Sequence, residues 1–317
     1  MKLNLISIFK LMVSIGLIVL VFTQVDIKQI WFRFQYLSFP FVFFALLYYT
    51  GCQWLSCLRW QIVLRASGYV ISISSLLSSY FAGMFVSVFL PGAYGGDIYR
   101  VYRISRKIKD PEVAIASVFL ERFAGLGSIF ALALLGLPPA CIIIGRWDII
   151  LLSFVSLGVI SGGFVLIASP KLLIWAEPIL NKLRLNRIAA RITKIQIVVR
   201  KFLQHRQSLI LAMVISLTVQ FAIIYYQYLL AQQLQIPISF LTLLVFTPIS
   251  VVITLLPISL GGLGVQEGLW VYLFSRVGLT ADQAVLLSLT FTMLGWILSL
   301  PGSIILLLDA VDRQHIK

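Results

Sequence analysis

The stretch Leu90-Pro91-Gly92-Ala93-Tyr94-Gly95-Gly96 recurs in outline as Leu256-Pro257-Ile258-Ser259-Leu260-Gly261-Gly262, and each copy interrupts an apolar run and is followed by an acid, Asp97 or Glu267. Proline removes a backbone donor and paired glycines permit a tight turn, so each copy reads as a break between two helical pieces. Two matched breaks, one in each half of an apolar chain, point to a transport site near the middle of a membrane.

The composition makes lipid the solvent. Of 317 residues, 60% are hydrophobic and 11% charged, with a mean hydropathy of +1.02, whereas a soluble domain carries about a quarter charged residues. Crossing a hydrocarbon core of about 30 Å takes roughly 20 apolar residues. Full spans are expected near 5–25, 39–58, 113–136, 149–168, 208–231 and 283–308. The first is read as a retained span, because no alanine precedes Ala45 and a small-residue cleavage site is missing.

Net charge is +14. In a soluble chain that would suggest nucleic acid, but here the positives lie between spans, where they report orientation. Arg100, Arg103, Arg106, Lys107 and Lys109 form one cluster, and the connection 170–207 holds nine more against the single acid Glu177. Both regions, and both termini, are expected on the cytoplasmic side. Cys52, Cys57 and Cys141 lie within or beside apolar runs, and His205 and His315 are the only histidines, so neither a disulfide framework nor a metal or haem ligand set is expected.

Residues 76–90 would form a helix of about 22 Å, too short to cross. With the break behind it and the basic cluster beyond, this segment is expected to enter and leave from one side as a re-entrant hairpin over 76–99. Residues 239–277, around the second break, are read as its counterpart, although 239–256 would run about 27 Å and nearly span. The expected fold is therefore all-α: one polytopic membrane domain over 1–317, with about six full spans and two broken-helix hairpins related as an inverted repeat. Span, hairpin and span occur as 39–58, 76–99 and 113–136, then with opposite polarity as 208–231, 239–277 and 283–308. Within 170–207, Ile188, Ile192, Ile195, Val199 and Phe202 share one helical face beside Arg187, Arg191, Lys194 and Lys201, either as an interfacial helix that attracts anionic headgroups or as a plain basic connection.

An unwound backbone inside a membrane needs protein or a water-filled cavity to satisfy it. Gly95, Gly96, Gly261, Gly262 and Gly264, with Pro91, Pro257 and Ser259, either open such a cavity or let helices pack. Asp97 and Arg100, three residues apart, make a self-neutralising clamp, or Asp97 caps the emerging helix. Glu121 and Arg122 sit about 14 Å into their span, where each charge costs about 2.5–3.5 kcal/mol on insertion scales. Neighbours on a helix point about 100° apart, so each needs its own partner. Glu121 is expected to pair with Arg100 or Arg59, leaving Arg122 toward the cavity, the alternative being a structural ion pair. Glu267 either matches these acids in the second half or caps its helix.

Arg59-Trp60, Pro91-Gly92-x-x-Gly95-Gly96-Asp97-x-x-Arg100, Glu121-Arg122-x-x-Gly125 and Pro257-x-Ser259-x-Gly261-Gly262-x-Gly264-x-x-Glu267 together resemble the transmembrane region of the lysylphosphatidylglycerol synthase/flippase family. Gln266 stands where many relatives are expected to carry arginine. The resemblance implies a bacterial or archaeal cytoplasmic-membrane protein that moves or handles lipids or lipid-linked glycans. The soluble aminoacyl-transferase half of aminoacyl-lipid-making members has no counterpart in this sequence, so lipid aminoacylation is not expected of this chain alone.

Three functions compete. A flippase-like transporter would hold the phosphate of an anionic lipid or lipid-linked carrier on Arg100 and Arg122. A membrane-embedded transferase would use Asp97, Glu121 or Glu267 as base, and a non-transporting subunit would recruit a lipid-modifying enzyme. The first is preferred, without a cofactor, because the sequence shows no nucleotide-phosphate loop or metal cluster. The inverted repeat predicts that cysteines placed at Ala93 and Ser259 crosslink; failure to do so, with both labelled from one common side, would overturn it.

Overall fold

Helix lengths follow from where the apolar runs meet prolines, glycines and polar caps. The computed structural model describes residues 23, 25–89, 95–144, 155, 158, 162, 169, 186–254 and 264–314. They form helices α1 (Ile27–Phe34), α2 (Phe39–Ala66), α3 (Ile73–Phe89), α4 (Gly95–Ile108), α5 (Pro111–Ile144), α6 (Asn186–Gln204), α7 (Arg206–Gln233), α8 (Phe240–Thr254), α9 (Val265–Ser275), α10 (Ala281–Ser299) and α11 (Pro301–Gln314), with no strand among the described residues.

Among the described residues, four stretches are long and apolar enough to cross a membrane: Phe39–Ala66, Pro111–Leu132, Arg206–Gln233 and Ala281–Asp309. They coincide with four of the six expected spans. The expected span 5–25 lies outside the described residues but for 23 and 25, and 149–168 but for 155, 158 and 162; both proline–glycine turns lie outside them apart from Gly95, Gly96 and Gly264. The last span continues past Leu300 into α11, Pro301 opening the new segment where its missing N–H costs nothing.

Both hairpins have short arms. At about 1.5 Å per residue, the 17 residues of α3 and 15 of α8 fall below the span length. Pro248 lies inside α8 and cannot donate to the carbonyl of Leu244, which loosens the helix ahead of the break. Gly264 has φ 81° at the start of α9, a left-handed backbone that glycine adopts without strain.

The two halves interlock reciprocally. Hairpin arm α3 packs on α10 and α11 of the second half, and its counterpart α8 packs on α5 of the first. Within each half the hairpin arms touch each other and the flanking spans: α2 with α3, α3 with α4 and α4 with α5 match α7 with α8, α8 with α9 and α9 with α10. Exchanging the halves maps this set of neighbours onto itself, as a twofold relation requires.

The equivalent spans α2 and α7 also run in opposite directions against each other. Gln233 Nε2 donates to the Tyr36 carbonyl at 2.7 Å, Tyr48 Oη to the Ala222 carbonyl at 3.1 Å, and Arg59 Nη1 to Ser216 Oγ at 2.9 Å, so rising numbers in one helix meet falling numbers in the other.

Helix α5 is the central column. Of its most apolar window 67% is buried by protein, against 22% in each of the other three spans. The amphipathic α6 turns Val199 and Phe202 onto Val63, Ala116, Leu120 and Ala212, so that part of its apolar face is spent on α2, α5 and α7 rather than on lipid. Lys194, Ile197 and Lys201 of the same helix are exposed.

Glycine sets the closest helix approach. A Cβ on Gly302 would collide with the Phe81 carbonyl and lie 2.9 Å from Phe85 Cβ, which is where α11 meets α3. Gly302→Ala is expected to destabilise the purified protein by about 1–3 kcal/mol through overpacking. Gly51→Ala, with nothing within 4 Å of the added carbon, should be neutral or mildly stabilising. Thermal unfolding of the two variants in one detergent measures the difference.

Candidate functional site: a buried ion cluster between four helices

Glu121 stands about 15 Å from the start of α5 and is 1% exposed. An ionised carboxylate there survives only with cations and donors around it. It has three. Arg59 Nη2 from α2 donates to Oε1, Tyr80 Oη from α3 donates to the same oxygen at 2.6 Å, and Arg100 Nη2 from α4 donates to Oε2 at 2.9 Å. Each surrounding helix thus contributes one ligand to a single carboxylate.

Arg100 is held on its faces as well as its edges. Its guanidinium carbon lies 4.2 Å from the Trp60 ring centroid and 3.9 Å from that of Tyr80, within cation–π range. Trp60 is itself fixed by donation from Nε1 to Ser117 Oγ at 3.0 Å. Nη1 of Arg100 donates to Asp97 Oδ1 at 3.1 Å, closing the clamp expected from the three-residue spacing.

The roughly 100° between neighbours on α5 sends Arg122 elsewhere. Its Nε and Nη2 donate to Asp97 Oδ2 and Oδ1 at 2.7 and 3.0 Å, a bidentate pair. Asp97 therefore sits inside the first turn of α4 as the acceptor for two arginines, not as its N-cap. The Arg122 side chain is 54% exposed, while those of Arg59, Arg100, Asp97 and Glu121 are 11% exposed or less.

α2 runs on to Ala66, past the expected end of its span at residue 58, and Arg59 is 5% exposed inside the bundle. Glu121 does not choose between Arg100 and Arg59, because its two oxygens accommodate both. Arg122 is the open member of the group, and it carries Asp97 with it.

The remaining residues divide by half. Gly96 is the crossing point of the first hairpin: its N–H donates to Ser87 Oγ at 3.0 Å, and a Cβ there would strike the Gly83 carbonyl and Ser87 Oγ. Gly95 opens α4 and is buried. In the second half, Glu267 Oε2 accepts from the Gly264 N–H at 2.7 Å and Oε1 accepts from Ser288 Oγ at 3.2 Å, the helix-capping geometry. Pro91, Pro257, Ser259, Gly261 and Gly262 lie outside the described residues.

Tyr80, Ser117 and Ser216 belong to the cluster and were not singled out from sequence. Neutral hydroxyls in apolar runs look like packing residues until the charge they serve is located. No group of three or more potential metal ligands occurs among the described residues.

Fold and site together define a multi-pass α-helical membrane protein with a charged cluster buried among its helices. Residues 7–302 match the family described as the lysylphosphatidylglycerol synthase TM region, and the chain belongs to that family. Comparison with curated proteins gave no significant match.

Removing the carboxylate would leave two buried guanidiniums facing each other. Glu121→Gln is expected to cost about 3–5 kcal/mol of stability, as loss of one partner of a buried pair does. Arg122→Gln, at the open end of the cluster, should cost less. Thermal unfolding of the purified variants tests the order, which fails if Arg122→Gln is the more damaging.

Proposed function

We propose that this protein is a flippase-like transporter that moves the headgroup of a phospholipid or lipid-linked carrier past the ion cluster. The observation that carries this reading is an imbalance. Arg59, Arg100 and Arg122 bring three positive charges and Asp97 and Glu121 two negative ones, so the cluster holds one positive charge in excess, among side chains 2–54% exposed.

A closed structural network inside lipid gains most from neutrality, because an uncompensated charge there is expensive. An excess positive charge on a half-exposed guanidinium favours an anion beside it. Asp97 takes Nε and Nη2 of Arg122, which leaves Nη1 for an acceptor, and planar guanidinium suits a phosphate oxygen. Nε of Arg59 and Nε of Arg100 are buried without partners, so the cluster also has donors in surplus. A phosphate-bearing headgroup supplies both the charge and the oxygens, while its acyl chains stay in the surrounding bilayer.

The hairpin arms α3 and α4 provide Tyr80, Asp97 and Arg100, so movement of the first hairpin would make and break the site. Arg191 of α6 meets Glu112 in the first turn of α5, and Lys107 of α4 donates to Ser75 in the first turn of α3; by the positive-inside rule that end of the bundle would face the cytoplasm in a bacterial or archaeal inner membrane. That arrangement also places cationic side chains where anionic headgroups would be gathered.

The full chain, purified and reconstituted in vesicles, is expected to move tail-labelled anionic phospholipid between leaflets faster than protein-free vesicles, and Arg122→Gln to slow that movement at least about tenfold, the loss of a charged hydrogen bond. If neither anionic phospholipid nor a polyprenyl-phosphate lipid moves, with or without a proton gradient, the transport reading is wrong.

A further inference from the structure

The second half holds a cavity of opposite character. Gln227 of α7, Thr247, Ser250 and Thr254 of α8, and Gln266 and Trp270 of α9 wall it. It has about 60 Å³ open to the centre of a water molecule, several times the roughly 10–15 Å³ that one water requires. These six carry neutral polar groups, and the apolar Val251 and Phe291 complete a wall whose open surface is mostly apolar. Glu267, the neighbouring acid, is occupied as a helix cap and is not part of the wall.

The polar groups on that wall are a balanced set of donors and acceptors. Trp270 is 3% exposed and its indole N–H has no partner, a donor that costs stability unless something accepts from it. Thr247 Oγ1 donates to Gln227 Oε1 at 2.6 Å, which leaves the Gln227 amide N–H groups for a ligand. Ser250 and Thr254 donate their protons to backbone carbonyls of Phe246 and of Ser250 and Val251, so their oxygens are left as acceptors. Gln266 donates to Ser288 Oγ at 3.1 Å and likewise presents its carbonyl oxygen.

A phosphate would meet too many acceptors there, and an ammonium would find no carboxylate. Hydroxyl groups, which donate and accept at once, satisfy both sets. We propose that this cavity is a subsite for the uncharged, hydroxyl-bearing part of a lipid headgroup, such as a glycerol or a sugar. It lies apart from the ion cluster: Ser216, which holds Arg59, is 11 residues before Gln227 on α7, or about 16 Å along the helix. A small headgroup therefore occupies the two sites in turn, and an extended one bridges them. The proposal rests on the transport reading for the presence of a lipid, and adds to it which headgroups are preferred.

The test separates the two. Tail-labelled phosphatidylglycerol, phosphatidylinositol, phosphatidylethanolamine and phosphatidic acid are each bound to the purified full chain, and their movement is followed separately in vesicles. The glycerol and inositol lipids are expected to bind more tightly than phosphatidic acid, and phosphatidylethanolamine no more tightly. Trp270→Phe, which keeps the ring and loses the donor, and Ser250→Ala should each reduce the ratio of polyol lipid to phosphatidic acid binding about five- to tenfold, the loss of one hydrogen bond. Preference for the glycerol over the inositol lipid, or the reverse, identifies the polyol. An unchanged ratio means the cavity holds only water and overturns the proposal, as does tighter binding of the ammonium lipid. If the ratio falls but no lipid crosses the bilayer, the subsite stands and the transport reading does not.

Discussion

The carboxylate of Glu121, held between Arg59 and Arg100 in the centre of an apolar bundle, is the constraint to which the rest of the first half answers. A charge that deep has no water to solvate it. The helices around α5 are therefore placed so that each delivers a guanidinium or a hydroxyl, and the break before α4 is what allows Arg100 to approach from within the membrane instead of from its surface. Trp60 and Tyr80 then complete the enclosure on the two faces of Arg100. One ionised group explains the positions of three helices.

The glycines act at the next level. A hairpin whose arms begin and end on one side must bring its two helices close, and Gly83 against Gly96 permits that approach where any side chain would hold them apart. The same economy recurs where α11 meets α3 at Gly302. In lipid, helices gain little from hiding apolar surface, so close backbone packing and satisfied polar groups carry more of the association. That is why the cluster and the small-residue crossings occur together.

The halves share a plan and differ in chemistry. Their neighbours exchange reciprocally and their leading spans run antiparallel, yet the first half gathers five charges and the second gathers neutral amides and hydroxyls around Trp270. A twofold relation constrains the backbone and leaves side chains free to diverge. The asymmetry leaves an excess positive charge beside the first break and an uncharged cavity beside the second.

Much of this was legible in one dimension. Hydropathy and length marked four of the described spans, because crossing a hydrocarbon core sets a minimum run of apolar residues. The short runs before each proline–glycine break marked the hairpins, and an acid and an arginine deep in a span marked Glu121 and Arg122, since lipid makes every such charge conspicuous. Spacing alone linked Asp97 to Arg100. What the order of residues left open was decided by packing: that α2 continues far enough to bury Arg59, that one carboxylate accepts both arginines, that Arg122 turns to Asp97, and that Tyr80, Ser216 and the Trp270 cavity have polar work to do. Partner choice depends on how helices distant in the chain are rotated against each other, and neutral hydroxyls and indoles carry no mark of their role until that rotation is known.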